Sequence, residues 1–362
     1  MNEIRFKIAE EKDIDGINVF YNNYYKINRT KEQFRWEFED CPEGKAIYTM
    51  ALDENDNIIG IQAGIPIMMI TSAGDTILTV KSEDTLIHTD IRSKYNKRDV
   101  FKEFYSFFIE QCRLLDASCI WGFTYALKSL KRVGFDIPYH SKQILLVIHP
   151  LQAYFHLARL NPKNRISDKI KIAALSLVSF FSGWKRFLIK PEKSPFRVTE
   201  GISSNIPLFR EMTDTSGNLT FIEQDEKYLK WRIQSNLYPV TYHCFNFFKS
   251  DQFCGQVIIS YGPDKTCYIE QMLFSKDLSS PEKQQIIKEV VKRILELKKS
   301  LIRFMAFDHN SYHQKDIKIL KDLGFFLVNK GIGFVYLDIS SHANQIRPEN
   351  LYLSRLYTQG QS

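Results

Sequence analysis

Apolar and polar positions follow a strand-like or helix-like period along most of this 362-residue chain. In the first half the pattern predicts an opening strand, two helices, a three-strand meander, a long helix, a short buried strand, a short helix and a closing strand. The predicted elements are Ile4–Ile8, Asp13–Tyr25, Arg29–Phe38, Ala46–Leu52, Ile58–Ile70, Thr76–His88, Lys97–Leu115, Cys119–Phe123, Ala126–Val133 and Ile144–Ile148.

The same order returns after Phe196. The second-half elements are predicted at Phe221–Glu223, Glu226–Arg232, Thr241–Phe248, Cys254–Ser260, Thr266–Phe274, Pro281–Lys298, Ile302–Phe307, Gln314–Leu323 and Phe325–Leu337. A local echo supports this, since "SLKRVGF" at 129–135 reappears as "ILKDLGF" at 319–325, and Gly60 and Phe123 have counterparts in Gly255 and Phe307. Landmarks that recur in one order predict a duplicated fold.

Composition fits a packed protein with two cores. The chain is 44% hydrophobic and 25% charged, and it is longer than one typical domain. The first residues, "MNEIRFKIAEEKD", contain acids and no apolar signal region, which predicts a cytoplasmic protein. The six cysteines are scattered without a CxxC pair, so neither a structural metal nor a disulfide framework is expected.

The formal charge of +7 is concentrated in one segment. Residues 151–190 contain eight basic side chains and one acid, Asp168. No recognition module accompanies this charge, so nucleic-acid binding is not predicted. The stretch Ile172–Trp184 is uncharged but shorter than a bilayer span of about 20 residues. With its basic flanks, at 163–190, it fits either an interfacial helix that contacts anionic lipid at the inner face of the membrane or a helix packed between the two halves.

Several stretches resemble the GNAT (N-acetyltransferase) family. "DTLIHTDIR" (84–92), the helix from Lys97 and "IWGFTYALKSLKRVGF" (120–135) are similar to its strand, turn, long helix and final "GF". "FIEQDEKYLKWRIQSNLYPVTYH" (221–243) resembles a stretch of tandem GNAT proteins often associated with bacterial surface-polysaccharide synthesis. The resemblance implies an α/β (α+β) protein of two GNAT-like domains, each with a central mixed, mostly antiparallel sheet flanked by helices.

The predicted organisation is a GNAT-like acyl-CoA-binding domain at 1–150, a basic amphipathic helical connection at 151–195 and a second, degenerate GNAT-like domain at 196–362. Trp231, Arg232 and Tyr242 match the family stretch, and the resemblance places them at the acceptor pocket, although Trp231 equally fits a core position. The second-half turn "FSKDLSSPEKQ" (274–284) has acids, no arginine and no glycine, and does not predict a phosphate site.

The resemblance also implies where acyl-CoA, expected to be acetyl-CoA, would bind. Main-chain N–H groups near Leu86 and Ile87 would hold the thioester arm, and a basic turn before a helix would hold the pyrophosphate. The residues of that turn are Arg92, Lys94, Asn96, Lys97 and Arg98. The turn departs from the family because Tyr95 and Lys97 stand where small residues are usual, so a solvated turn without a ligand is the alternative.

Catalytic candidates lie on the third meander strand and after the short buried strand. Amide formation needs a base for the amine proton, and Glu83 or His88 is predicted in that role. The resemblance favours Glu83, because a carboxylate on this strand is common in the GNAT family, and the alternative is that both side chains are solvated or structurally paired. On a regular strand these two would point to opposite faces, so only one would face the acyl carbon. The usual family acid is replaced by Leu130 in the first half and Leu320 in the second, which leaves Tyr125 as the candidate acid.

The predicted function is acyl transfer from coenzyme A to a small amine, with an amino sugar suggested only by the resemblance. No metal is expected. Two alternatives remain open: an aminoacyl-tRNA-dependent transferase of the peptidoglycan type, and a catalytically silent binding protein of a glycan-assembly system. The long helical arm of the former is not evident in residues 151–190.

Overall fold

The computed structural model describes most of the chain with its side chains. The described residues are 4–88, 91, 98–160, 169–170, 172–174, 177, 180–181, 194–216, 218–309, 311–340 and 346–358. Within them the α-helices are α1 (Ile14–Tyr25), α2 (Lys31–Phe38), α3 (Val100–Leu114), α4 (Leu127–Arg132), α5 (Pro150–Leu160), α6 (Ile206–Ser216), α7 (Glu226–Leu229), α8 (Ser280–Glu296) and α9 (Ser311–Asp322). A π-helical turn, Lys230–Gln234, continues α7.

The strands form one continuous sheet. They are β1 (Arg5–Ile8), β2 (Ile47–Leu52), β3 (Ile58–Ile70), β4 (Thr76–Ile87), β5 (Cys119–Thr124), β6 (Asp136–Val147), β7 (Arg197–Glu200), β8 (Phe221–Ile222), β9 (Thr241–Lys249), β10 (Gln252–Tyr261), β11 (Thr266–Phe274), β12 (Leu301–Ala306) and β13 (Phe326–Asp338). The order is β1-β2-β3-β4-β5-β13-β6-β12-β11-β10-β9-β7, with β8 paired to β3. The fold class predicted from the sequence, a mixed and mostly antiparallel sheet flanked by helices, is confirmed.

The sheet is symmetric about its centre. Five strands of the first half lie on one side of the β13–β6 pair, and five strands of the second half lie on the other. β13, from the second half, pairs with β5, and β6, from the first half, pairs with β12. Each half therefore places its last strand beside the strands of the other half. The domain limits at 150 and 195 stay a prediction.

Most predicted elements are confirmed to within a few residues, but the closing strand is wrong in length and place. The prediction at Ile144–Ile148 covers only the end of β6, which begins at Asp136 and lies in the sheet interior. Its first residues, "DIPYH" at 136–140, are exposed or half-buried and include a proline, which is uncommon inside a strand, so they do not indicate one. The long helix begins at Val100 rather than Lys97, and α6 was not predicted.

Cores lie on both faces of the sheet. On one face, α3 packs through Tyr105 and Phe108, and α8 packs through Ile287 and Val290. The other face carries one larger core shared by both halves, which includes α1, α2, α6 and residues 351–357. The two halves are therefore joined by buried apolar contacts and by the sheet itself.

A tryptophan pair marks the duplication. Trp36 in α2 and Trp231 after α7 stack with ring centroids 5.7 Å apart. The Trp36 indole N–H donates to the Trp231 carbonyl at 3.0 Å, and the Trp231 indole donates to the Trp36 carbonyl at 2.9 Å. The rings of the landmark pair Phe123 and Phe307 also meet, with centroids 5.7 Å apart. Reciprocal contacts between matching residues are the geometry of a two-fold axis.

Candidate active site

The candidate site lies where β4 and β5 separate. These parallel strands pair at Val80–Ile120 and Lys81–Trp121, and β4 then continues to Ile87 and β5 to Thr124 without pairing to each other. The separation starts from a very close approach, since a Cβ on Gly122 would lie 2.9 Å from the Ser82 carbonyl oxygen. A side chain at this position would collide with main chain, so glycine is required there.

The cleft between the two strands has a volume of about 390 Å³. Its walls come from α1 and the loop after it, from β4, from β5, from α4 and from β13 of the second half. The lining residues are Tyr21, Tyr25, Ile27, Ser82, Glu83, Asp84, Thr85, Gly122, Phe123, Thr124, Leu130 and Val335. Because Val335 belongs to β13, the cleft is complete only when both halves are present.

A β-bulge shapes the wall formed by β4. Glu83 lies opposite Ala63 and Leu86 lies opposite Ile61, so β4 holds one more residue than β3 in this interval. At the bulge, Asp84 adopts a positive φ of 51°, a conformation that aspartate tolerates better than most residues. The buried side chain of Gln62 spans the bulge, because it donates to the Glu83 carbonyl at 3.1 Å and accepts from the Thr85 hydroxyl.

Buried charges anchor the bulge from the α1–α2 side. The Asp84 carboxylate pairs with Arg29 and accepts a 2.8 Å hydrogen bond from the Tyr48 hydroxyl. Glu37 lies 3.8 Å from Arg29, and Tyr238 of the second half donates to it at 2.7 Å. Burial, followed by the nearby Asp84 charge, raises the pKa of Glu37 to about 8. The bulge is thus held by a network that reaches into both halves.

The segment of β4 after the bulge has one main-chain donor that does not bond to β3. The His88 N–H donates to the Ile59 carbonyl at 2.9 Å, and the antiparallel ladder next pairs Leu86 with Ile61. In such a ladder, alternate residues bond to the neighbouring strand and those between them point away. The Ile87 N–H therefore points away from β3, on the side of the cleft, whereas that of Leu86 points toward β3. The predicted thioester-arm role of both residues stays a prediction.

Glu83 has the geometry of a buried but accessible base. Its side chain is 21% exposed, lines the cleft and forms an ion pair with Lys81, whose side chain is 6% exposed. Burial raises the pKa of the Glu83 carboxyl above its usual range, against the opposing effect of Lys81. Burial likewise lowers the pKa of Lys81. A carboxylate with a raised pKa is a stronger proton acceptor near neutral pH.

The bulge removes the basis for placing Glu83 and His88 on opposite faces. The pairing register matches Glu83 with Ala63 and Leu86 with Ile61, so Glu83 and Leu86 face the same side of the sheet although they are three residues apart. The expectation of opposite faces holds for a regular strand, and the extra residue at Asp84 and Thr85 interrupts the alternation between Glu83 and His88. His88 is exposed at the end of β4, and its role as base stays a prediction.

The structure places the other predicted site residues apart from the cleft or outside the described residues. The Tyr125 ring is 78% exposed and does not line the cleft, so its role as acid stays a prediction, while Leu130 is buried in the cleft wall. Arg98 forms a two-point ion pair with Glu103 in the first turn of α3, with Nη2–Oε2 at 2.6 Å. Arg92, Lys94, Asn96 and Lys97 lie outside the described residues.

Trp231, Arg232 and Tyr242 lie on the buried face shared by the two halves. Trp231 packs on Trp36, as a core anchor would. The guanidinium of Arg232 is buried and donates to the Leu356 carbonyl at 2.9 Å. Arg232 Nη1 has no hydrogen-bond partner among the described residues. None of the three lines the cleft between β4 and β5.

Sequence comparison finds no family: no sequence-family model and no curated protein matches this chain. Solved structures do match it. A conserved protein of unknown function from Enterococcus faecalis V583, a probable N-acyltransferase, has a TM-score of 0.61 and 7% identity, over 94% of this chain and 73% of that one. A tandem GNAT protein from the clavulanic acid biosynthesis pathway has a TM-score of 0.53 and 9% identity, over 93% and 98%.

A third match is the Saccharomyces cerevisiae N-myristoyltransferase with bound myristoyl-CoA. Its TM-score is 0.56 and its identity 10%, over 98% of this chain and 83% of that one. At these identities the likeness shows the fold alone, which this chain shares with a tandem GNAT protein and with the other two structures.

Proposed function

From the tandem GNAT-type fold, we propose that the first half binds an acyl-CoA in the cleft between β4 and β5 and transfers its acyl group to an amine. The observation that carries the proposal is the opening of these strands after Lys81–Trp121, with Glu83 in the wall of the cleft and the Ile87 N–H pointing away from β3. The acyl group is expected to be acetyl, and the acceptor an amino sugar.

The reaction needs one proton acceptor and one donor to the carbonyl oxygen. The amine nitrogen attacks the thioester carbon, and Glu83 takes the proton that the amine loses. The C–N bond forms, the C–S bond breaks, and the coenzyme A thiolate leaves and takes a proton from water. Main-chain N–H groups at the bulge, of which Ile87 provides one, stabilise the developing oxyanion. Lys81 keeps Glu83 oriented through their ion pair.

Release of free thiol from acetyl-CoA, measured against a panel of amino sugars and amino acids, tests the proposal. We expect turnover with at least one acceptor, and a loss of about 100-fold in kcat for Glu83→Gln. Glu110→Gln is the matched control, because Glu110 lies on the exposed side of α3. Turnover should rise with pH through the raised pKa of Glu83, since only the ionised carboxylate accepts a proton. Full activity in Glu83→Gln would remove Glu83 from the mechanism.

Apolar side chains on the connection support a further part of the proposal, contact with an anionic membrane surface. Helix α5 packs on the sheet through Ala153 and Leu157, yet Leu151 and Phe155 on its other side are 69% and 63% exposed. The described residues of 169–181 are also helical, and exposed apolar side chains recur there at 170, 174, 177 and 181, one face of a helix.

The occupant of these apolar faces is proposed to be anionic lipid, because residues 151–190 carry eight basic side chains and one acid. No helix among the described residues has the length and apolar character needed to cross a bilayer. Contact at the surface is therefore the form of binding proposed.

Vesicle flotation tests the membrane contact. The protein should float with phosphatidylglycerol vesicles but not with phosphatidylcholine vesicles, and added salt should weaken binding by screening. Leu151→Asp with Phe155→Asp should abolish flotation, whereas Leu114→Asp, at an exposed position on α3, should not. Equal binding of both vesicle types, or a dimer that only the double variant dissociates, would contradict the proposal.

A further inference from the structure

The second half has its own strand opening, which corresponds to the cleft of the first half. β11 and β12 run parallel and pair from Thr266–Leu301 to Ile269–Phe304. β11 then continues to Phe274 and β12 to Ala306 without pairing to each other. A bulge in β11 at Glu270 lies beside the last pair, as the bulge at Asp84 follows the last pair of β4.

Residues 351–357, here called the C-terminal strap, contact β11 along this opening. The Tyr352 hydroxyl donates to the Met272 carbonyl at 3.0 Å, and the Ser354 hydroxyl donates to the Gln271 side chain at 3.1 Å. Arg355 forms an ion pair with Glu270, and its guanidinium lies 3.7 Å from the centre of the Tyr268 ring. The strap is thus bonded to consecutive residues of β11 beyond the last β11–β12 pair.

The strap also contacts the segment that follows β12. The Leu351 carbonyl bonds to His309 Nε2 at 2.8 Å, and the Leu353 N–H donates to His313 Nε2 at 3.1 Å. The Tyr352 N–H donates to the Thr220 carbonyl at 2.8 Å, which adds a bond outside the opening. The strap therefore lies between β11 and the start of α9, where the first half has open space between β4 and α4.

The strap is buried along its whole length. No residue from 351 to 357 is more than 4% exposed, and Leu356 is fully buried. Arg355 and Glu270 have side chains 5% and 0% exposed, so removing one partner would leave a buried charge. A segment with these contacts opens only with a large part of the structure.

We infer that the C-terminal strap is a built-in occupant of the second-half cleft, so that each chain has one acyl-CoA site, in the first half. The strap places protein side chains where the first half leaves room for a ligand. The single site rests on the proposed function, whereas the occupancy of the second cleft does not.

Calorimetric titration of the full chain with acetyl-CoA tests the number of sites. We expect one molecule bound per chain. Thr124→Trp, which fills the first-half cleft, should abolish the binding heat, whereas Lys128→Trp on exposed α4 should preserve it. Two molecules bound per chain, or one that persists in Thr124→Trp, would overturn the inference. No binding at all would instead count against the proposed function.

Hydrogen exchange of the free protein tests the strap without any ligand. The amides of 351–357 should exchange as slowly as those of the central strands, and acetyl-CoA should not change them. Tyr352→Phe with Ser354→Ala removes two strap hydrogen bonds at nearly constant volume and should speed strap exchange by about tenfold. Tyr24→Phe, on the exposed side of α1, is the control. If the amides of 351–357 exchange fast in the free protein and acetyl-CoA slows them, the second-half cleft is open and the inference is overturned.

Discussion

The two strand openings of this sheet are built alike, but one is an open cleft and the other is filled by the chain itself. Between β4 and β5 there is a cleft of about 390 Å³, whereas the opening between β11 and β12 contains the C-terminal strap. The ion pairs beside the two openings also differ in how far the carboxylate is exposed. Glu83 beside Lys81 keeps a side chain 21% exposed, whereas Glu270 beside Arg355 is fully buried. A duplicated fold can thus keep one cleft for a ligand and use the other for its own stability.

The largest expected effect comes from removing the carboxylate in each half. Glu270→Gln leaves Arg355 charged and buried, and should lower the free energy of unfolding by about 3–5 kcal/mol. Glu83→Gln should cost less, about 1–3 kcal/mol, because the Glu83 carboxylate is partly exposed, although the buried Lys81 loses its charged partner. Urea unfolding of both variants measures the difference. Equal losses would mean that the two pairs have the same structural role.

A smaller effect is expected where β4 and β5 part. Gly122→Ala forces a shift of the Ser82 main chain, and should lower the free energy of unfolding by about 1–3 kcal/mol while weakening acetyl-CoA binding. Gly16→Ala in α1 is the matched control, since its Cβ would meet only the end of the flexible Ile58 side chain. That control should be neutral or slightly stabilising. A Gly122→Ala variant as stable as the wild type would show that the strands have room there.

A pH change of one unit should have the smallest effect, through the network that anchors the first-half bulge. The pKa of Glu37 is about 8 in the folded state and 4.5 as its ordinary value. Between these values the folded state holds a proton that the unfolded state has lost, so stability falls as pH rises, by at most about 1.4 kcal/mol per pH unit. Glu37→Gln should flatten this slope in urea unfolding between pH 5 and 8. If the slope in Glu37→Gln equals that of the wild type, the raised pKa of Glu37 does not contribute to the pH dependence of stability.

Local patterns were sufficient to predict most strands and helices, because each buries one face and shows the matching period. The echo of "GF" segments was sufficient to predict the duplication, which the Trp36–Trp231 pair bears out in three dimensions. The exchange of β6 and β13 was not predictable, since the pairing of distant strands leaves no local signal. The first half of β6, Asp136–Lys142, was not predictable as a strand either, because a proline interrupts it.

The site was only partly predictable for the same reason. Glu83 was chosen from its strand, but the bulge that sets its direction depends on Gln62, Arg29 and Tyr48, which come from three other segments. Gln62 is a polar residue within the apolar run 58–70, and that misfit was the available signal. The strap gave no signal, because "LYLSRLY" follows the last predicted strand and reads only as a short apolar stretch.

The most direct test of the central claim is hydrogen exchange with and without acetyl-CoA on the full chain. We predict that acetyl-CoA slows exchange in 82–87 of β4 and 120–124 of β5, and leaves exchange in 270–274 of β11 unchanged. Two results would contradict this prediction. One is that acetyl-CoA slows exchange in β11 but not in β4, and the other is that millimolar acetyl-CoA changes exchange nowhere.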